Sequence, residues 1–170
     1  MLQEHCKLLA VFKQTGEIIG RKKLQKLIYI AKKLEFPFFE KYQFHIYGPY
    51  SEELNLRMEE ICSLSFVEEV KEKKSGYYQY RYNLSSKGEE FLSLSDYELP
   101  ETKALLNELN EQSSRFLELV STVLYFEYLS REEVEDKVFT LKAKQNYTSE
   151  EIGKAYEFIS GLREKTNIVS

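Results

Sequence analysis

Residues that could carry out catalysis are few and scattered along the chain. The histidines are His5 and His45, and neither stands at a spacing typical of metal ligands or of a catalytic pair. Asp96 and Asp136 are the aspartates, so a divalent-metal nuclease site is hard to assemble, although glutamate could substitute. The chain has no Gly-x-Ser-x-Gly motif and no glycine-rich phosphate loop. We therefore predict a protein that is not an enzyme, with no cofactor and no metal.

Cys6 and Cys62 stand far apart and form neither a disulfide framework nor a zinc-binding pattern. We interpret both as reduced residues on apolar helix faces. No apolar run reaches the roughly 18 residues that span a bilayer, and the N-terminal residues do not have the composition of a secretion signal. The sequence therefore predicts a cytoplasmic protein without a membrane partner.

Charged side chains are the remaining candidates for function, and their signs are unevenly distributed. Residues 1–50 carry nine Lys and Arg against four Glu, whereas residues 51–99 carry six against eleven acidic residues. The net charge of −4 argues against a dedicated nucleic-acid binder. The uneven distribution indicates separate basic and acidic surfaces.

The basic surface is predicted on the second of several helices. The apolar residues of this segment recur at helical spacing and define a buried face that Pro37 follows: Leu24, Leu27, Ile28, Ala31 and Leu34. A stripe of cations with one embedded aromatic is predicted on the opposite face: Lys22, Lys26, Tyr29 and Lys33. This stripe could dock on an acidic protein surface or a nucleic-acid backbone, and its alternative is a solvated face.

The acidic surface is predicted on a third helix, which Ser51 caps after the Gly48-Pro49 turn. Its buried direction runs through Leu54, Met58 and Ile61. The opposite direction is mainly acidic and holds Glu52, Glu53, Leu56, Glu59, Glu60 and Ser63. Asn55 and Arg57 flank this face and could read a DNA base. Leu56 is interpreted as an anchor for a protein partner, with a stray exposed leucine as the alternative.

A β-hairpin is predicted from two extended runs, residues 66–72 and 77–84. Its cations could contact phosphate or could simply keep the hairpin tip soluble: Lys71, Lys73, Lys74 and Arg81. Ser86 and Glu89 then stand at the spacing of a helix capping box.

The order of these elements predicts a winged helix-turn-helix domain over residues 1–96. The first helix ends at Thr15-Gly16, and Ile18-Ile19 form a short extended link. Residues 100–170 are predicted as a C-terminal helical extension, whose helices begin at capping boxes of Ser130 with Glu133 and Thr148 with Glu151. The fold class is mainly α with a small β-hairpin (α+β). The extension could pack on the first unit or form a homodimer interface.

Two short segments of the sequence resemble a known protein family. KLQKLIYIA followed by YGPYSEEL resembles the core of the Panacea family, the SocA-like antitoxins and adaptors, and is more similar to the uncharacterised YwgA-type proteins of Gram-positive bacteria. The resemblance covers roughly residues 1–95. It implies a non-enzymatic role through protein partners, and it allows a DNA-binding regulator as the alternative.

The charge of the third helix favours protein binding over DNA binding. In a winged helix the third helix normally enters the major groove, where four carboxylates would face phosphates. Each such contact costs on the order of 1 kcal/mol even in bulk water. We therefore predict an antitoxin- or adaptor-like module that binds a protein, with a dimeric DNA-binding regulator that uses the basic hairpin as the alternative.

Overall fold

The computed structural model describes residues 2–46, 48–100 and 103–169 and has a mixed α+β fold, as the sequence predicts. Its elements in chain order are α1 (Leu2–Thr15), β1 (Glu17–Ile19), α2 (Arg21–Lys33), β2 (Gln43–His45), β3 (Gly48–Tyr50), α3 (Glu52–Ser63), β4 (Val67–Lys74), β5 (Tyr77–Leu84), α4 (Ser86–Leu94), α5 (Lys103–Glu111), α6 (Ser114–Tyr125), α7 (Arg131–Leu141), a 3-10 turn (Ala143–Gln145) and α8 (Ser149–Val169).

The predicted hairpin is confirmed and belongs to an antiparallel three-stranded sheet of order β1-β5-β4. Strand β4 continues to Lys74, beyond the predicted end, so the turn is the short Ser75-Gly76 pair. Gly76 has a φ of +80°, a backbone conformation that residues other than glycine adopt only with strain. Lys73 and Lys74 therefore lie in the strand, opposite tyrosines of β5, and not in the turn.

Three of the predicted helix starts are confirmed by their caps. The Ser51 hydroxyl accepts the backbone N–H of Leu54 at the start of α3. Ser130 and Glu133 form the reciprocal capping box of α7. The same reciprocal bonds join Thr148 and Glu151 at the start of α8.

The capping box predicted at Ser86 is wrong by one residue. Ser85 is the N-cap, because its backbone is extended and its hydroxyl accepts the N–H of Gly88 at 3.0 Å. The same hydroxyl donates to the backbone carbonyl of Ser65 at 2.6 Å, which ties α4 to the α3–β4 connection. This tertiary contact selects Ser85 over its neighbour.

Helix α2 ends earlier than the position of Pro37 suggests. Its last residue is Lys33, and the N–H of Leu34 reaches back to the carbonyls of Ile30 and Ala31. Glu35 then adopts a positive φ of 70° that turns the chain away from the helix axis.

The C-terminal helices pack directly on the N-terminal elements. Helix α6 lies against α2, β3 and α8, and α5 lies against α1 and α2, so that one apolar core runs through both halves of the chain. The apolar segment around Val123 and Leu124 is thereby covered, as its composition requires. A homodimer and the separation of residues 1–96 from 100–170 stay predictions.

Candidate functional site

The outer face of α3 is acidic, with an apolar residue at its centre. Leu56 is 59% exposed, and Glu52 and Glu59 are exposed on either side of it. Glu53 and Glu60 are half-buried, and Glu60 lies 3.6 Å from the Nε2 atom of the buried His5. We call Glu52, Leu56 and Glu59 the acidic α3 face.

Arg57, which the sequence predicts as a reader of DNA bases, is paired within the chain. Its Nη1 atom lies 2.6 Å from Glu40 Oε2, and Glu40 is only 1% exposed. A second guanidinium nitrogen lies 3.6 Å from Glu53, one turn earlier in the helix. The buried carboxylate of Glu40 needs a cationic partner, which explains why Arg57 turns away from the outer face.

Arg21, in the first turn of α2, joins α3 to the sheet. It donates to Asn55 Oδ1 at 3.1 Å and to Glu69 Oε2 at 3.2 Å. Its Nε donates to the hydroxyl of Tyr82, which itself donates to Glu69 at 2.5 Å. Burial and the hydrogen bond with Glu69 raise the pKa of Tyr82. Asn55 also donates to Glu59, so the second predicted base reader is held within the chain.

The hairpin cations are largely balanced by neighbouring carboxylates. Lys74 Nζ lies 3.2 Å from Glu72, and Arg81 Nη2 lies 2.6 Å from the same carboxylate. Arg81 Nε also lies 3.2 Å from Glu17 Oε1 in the adjacent strand. Lys73 is exposed beside these pairs. The hairpin therefore presents little net positive charge to a nucleic acid.

The exposed basic stripe predicted on α2 is wrong at its centre. Lys26 is 4% exposed and Tyr29 is 5% exposed, because α6 packs over this face of the helix. Lys22 is exposed at the helix start. Lys33 is half-buried and lies 3.5 Å from Glu127, just beyond the end of α6. A continuous cationic contact surface therefore does not exist on this face.

Lys26 is the least compensated buried charge around α2. Its neighbours are Glu118 and Lys142, and Lys142 Nζ lies 2.8 Å from Glu118 Oε1 while donating to the carbonyl of Ile46 at 2.7 Å. Among the described residues, the ammonium of Lys26 has no hydrogen-bond or ion-pair partner. Burial lowers the pKa of Lys26; Glu118 opposes this effect, and Lys22 and Lys142 reinforce it.

Lys26 opens onto a groove of about 890 Å³ between α2, α6 and the hairpin. We call this the basic groove. Its cations outnumber its two carboxylates, and its far wall consists of tyrosines of β5. Its lining includes Arg21, Lys22, Lys23, Lys26, Arg115, Glu69, Glu118, Tyr77, Tyr78 and Tyr80. Sequence reasoning missed this groove, because its walls come from three distant segments of the chain.

Sequence reasoning also missed Gln25, which joins α2 to the start of α3. Its side-chain amide donates to the carbonyl of Ser51 and accepts the N–H of the same residue, both at 2.8 Å. Gln25 is buried, so this reciprocal pair satisfies an amide and a backbone unit that lack water. The only signal in the sequence is a polar residue beside an apolar helix face.

In residues 2–46, 48–100 and 103–169, no group of three or more His, Cys, Asp or Glu side chains could hold a metal ion. Over the same part of the chain, no helix combines the length and apolar character needed to cross a bilayer.

Comparison with known proteins identifies a bacterial relative. The chain is 59% identical over 164 residues to "Uncharacterized protein YwgA" of Bacillus subtilis (strain 168), and the match covers 96% of this chain and 99% of that protein. No protein-family model matches the chain.

Proposed function

We propose that this chain, which belongs to the YwgA family of bacterial proteins, is a non-enzymatic regulatory module that recognises a protein partner. The acidic α3 face is the recognition surface. Its partner presents basic side chains around an apolar depression that receives Leu56. The activity is adaptor- or antitoxin-like, in keeping with the resemblance of KLQKLIYIA and YGPYSEEL to the Panacea family.

The element order supports a winged helix-turn-helix interpretation of the N-terminal elements. Helices α1, α2 and α3 surround a sheet in which β1 pairs with the second strand of the β4–β5 hairpin. In this interpretation α3 takes the place of the recognition helix and the hairpin takes the place of the wing. The interpretation assigns the acidic α3 face to the position where DNA-binding relatives of the fold contact the major groove.

The acidic α3 face is the observation that carries the proposal. Glu52 would repel phosphates, as would Glu59, which Arg21 neutralises only in part at 3.5 Å. Arg57, the one cation of the helix, is turned inward onto Glu40. A basic protein surface gains from the same two carboxylates, chiefly in specificity and rate of encounter. Burial of Leu56 would add about 1 to 2 kcal/mol of hydrophobic stabilisation.

The first experiment identifies the partner by its place of contact. A photo-crosslinking amino acid replaces Leu56 in the source cells, and the same amino acid replaces Leu141, a 48% exposed leucine of α7, as the matched control. We expect an adduct from position 56 that is absent from position 141. The purified partner is then titrated with the Leu56→Lys and Leu141→Lys variants. We expect about a tenfold or greater loss of affinity for Leu56→Lys alone, and equal affinities would refute the proposed surface.

The second experiment tests the alternative function, a dimeric DNA-binding regulator. Fluorescence anisotropy with mixed-sequence duplex is measured over a series of salt concentrations. We expect negligible binding at about 100 mM salt, since the helix facing the duplex is acidic. Tight, salt-sensitive binding that disappears when Lys71, Lys73 and Lys74 are changed to Glu would overturn the protein-recognition proposal.

A further inference from the structure

We propose that the basic groove binds a mononucleotide, with the phosphate at the start of α2 beside Lys26 and the base on the tyrosines of β5. Arg21 lines this groove and also lies 3.5 Å from Glu59 of the acidic α3 face, but the nucleotide proposal does not rest on the function proposed above.

The start of α2 is arranged for an anion. Its first turn holds Arg21, Lys22 and Lys23 and no acidic residue, and its N-cap is Gly20, which offers no side chain to the first amide groups. Cations are unfavourable at a helix N-terminus, because the unbonded N–H groups there already carry partial positive charge. A bound phosphate would reverse this repulsion by accepting from the backbone amides and from Lys26.

Lys26 supplies an independent indication of an anion-binding site. It lies one turn after the start of α2, is 4% exposed and lines the same groove, yet among the described residues its ammonium has no hydrogen-bond or ion-pair partner. Lys26 and Lys142 share the neighbourhood of one carboxylate, Glu118, which Lys142 already contacts at 2.8 Å. A buried ammonium normally has a charged or hydrogen-bonding partner. A phosphate in the groove would provide it.

Glu69, the second carboxylate of the groove, already has hydrogen-bond partners within the chain. Glu69 accepts from Arg21 and from the hydroxyl of Tyr82. Neither groove carboxylate therefore forms an ion pair with Lys26, which leaves that lysine to an external anion.

The tyrosine wall indicates an aromatic group on the ligand. Tyr77 and Tyr78 are both more than half exposed, and Tyr80 is held close to the helix because its carbonyl accepts the N–H of Gly20 at 2.8 Å. Exposed tyrosine rings are suitable surfaces for stacking of a nucleobase. Lys71 Nζ lies 4.4 Å from the ring centroid of Tyr78 and keeps a cation on this wall. The groove volume of about 890 Å³ is ample for a mononucleotide.

The test is isothermal titration calorimetry of the full-length chain with ribonucleoside monophosphates, inorganic phosphate and adenosine. We expect at least one nucleotide to bind about tenfold or more tightly than either phosphate or adenosine, because each of these offers only half of the contacts. Lys26→Met should abolish nucleotide binding. Tyr78→Ala should weaken nucleotide binding and leave phosphate binding unchanged. Lys154→Met, at an exposed lysine of α8, is the matched control and should bind like the wild type.

Circular dichroism checks the folding of each variant, and Lys26→Gln repeats the measurement with a neutral polar side chain. The proposal is overturned if no nucleotide binds, or if a nucleotide binds no more tightly than phosphate. It is also overturned if nucleotide affinity is unchanged in a folded Lys26→Met or Lys26→Gln variant. None of these results depends on the protein partner, so the two proposals fail separately.

Discussion

Replacement of Lys26 by methionine should stabilise the free protein, which is unusual for a buried residue. Lys26 is 4% exposed as a residue, its ammonium has no hydrogen-bond or ion-pair partner among the described residues, and burial lowers its pKa, so the folded state bears part of the cost of removing the charge from water. Methionine has a similar length and flexibility and would fill the same space without a charge. Allowing for the attraction to Glu118, we expect a gain of about 1 to 3 kcal/mol in the free energy of unfolding.

The assay is urea denaturation near neutral pH and again near pH 10. Burial lowers the pKa of Lys26 in the folded protein below its unfolded value of about 10.4, so the unfolded chain binds more protons between these two values. The stability of the wild type therefore gains a contribution as pH rises through this window, and the methionine variant lacks it. The advantage of the variant should be full below the lowered pKa and should shrink as pH rises toward 10.

Lys142→Met is the matched comparison, because Lys142 is equally buried but is paired with Glu118 at 2.8 Å. Its removal leaves a carboxylate without its direct partner and should destabilise the fold by about 3 kcal/mol or more. Opposite signs for the two methionine variants are the expected result. A destabilised Lys26→Met variant, or an advantage that does not change with pH, would refute the description of Lys26 as an uncompensated charge.

Three further changes probe the fold and the salt bridges. Gly88→Ala should destabilise the protein by about 3 kcal/mol in urea melts, since a Cβ there would lie 2.1 Å from the carbonyl oxygen of Phe66; a neutral result would mean that α4 shifts freely. Arg57→Ala should lower the free energy of unfolding, measured by calorimetry, by about 3 to 5 kcal/mol, because it leaves the buried Glu40 carboxylate without its cationic partner. Arg115→Gln should move the pKa of Glu151, now lowered chiefly by its hydrogen bond with Arg115, upward in an NMR titration. In the wild type, that contribution to stability is present above the unfolded pKa of Glu151 and is lost as pH falls through the folded value.

The elements of the fold could be predicted because their signals are local. Ser51, Ser130 and Thr148 each mark a helix start through a bond to a residue three positions later. The alternating tyrosines of β5 and the Ser75-Gly76 turn mark the hairpin in the same way. The start of α4 was misplaced because Ser85 is selected by carbonyl groups from a distant connection.

The candidate site could not be predicted to the same degree, because burial depends on segments that are distant in sequence. Helical spacing separates Lys26 and Tyr29 from the apolar face of α2 correctly, yet it carries no information about α6, which covers them. The carboxylate that turns Arg57 inward is likewise supplied by Glu40, from the connector between α2 and β2. The position of charges on α2 alone therefore predicted an exposed surface that is in fact buried. The exposure of Leu56 on α3, by contrast, is as its helical position predicts.

The packing of α6 on α2 also determines when α2 can be buried during protein synthesis. The ring of Tyr29 in α2 lies 6.3 Å from that of Tyr125 at the end of α6, and the ammonium of Lys142 reaches the carbonyl of Ile46 across 96 residues of chain. At a synthesis rate of about 5 to 20 residues per second, α2 waits roughly 5 to 20 seconds for the helix that completes its burial. During that interval the nascent chain exposes the apolar face of α2, which is a risk for aggregation.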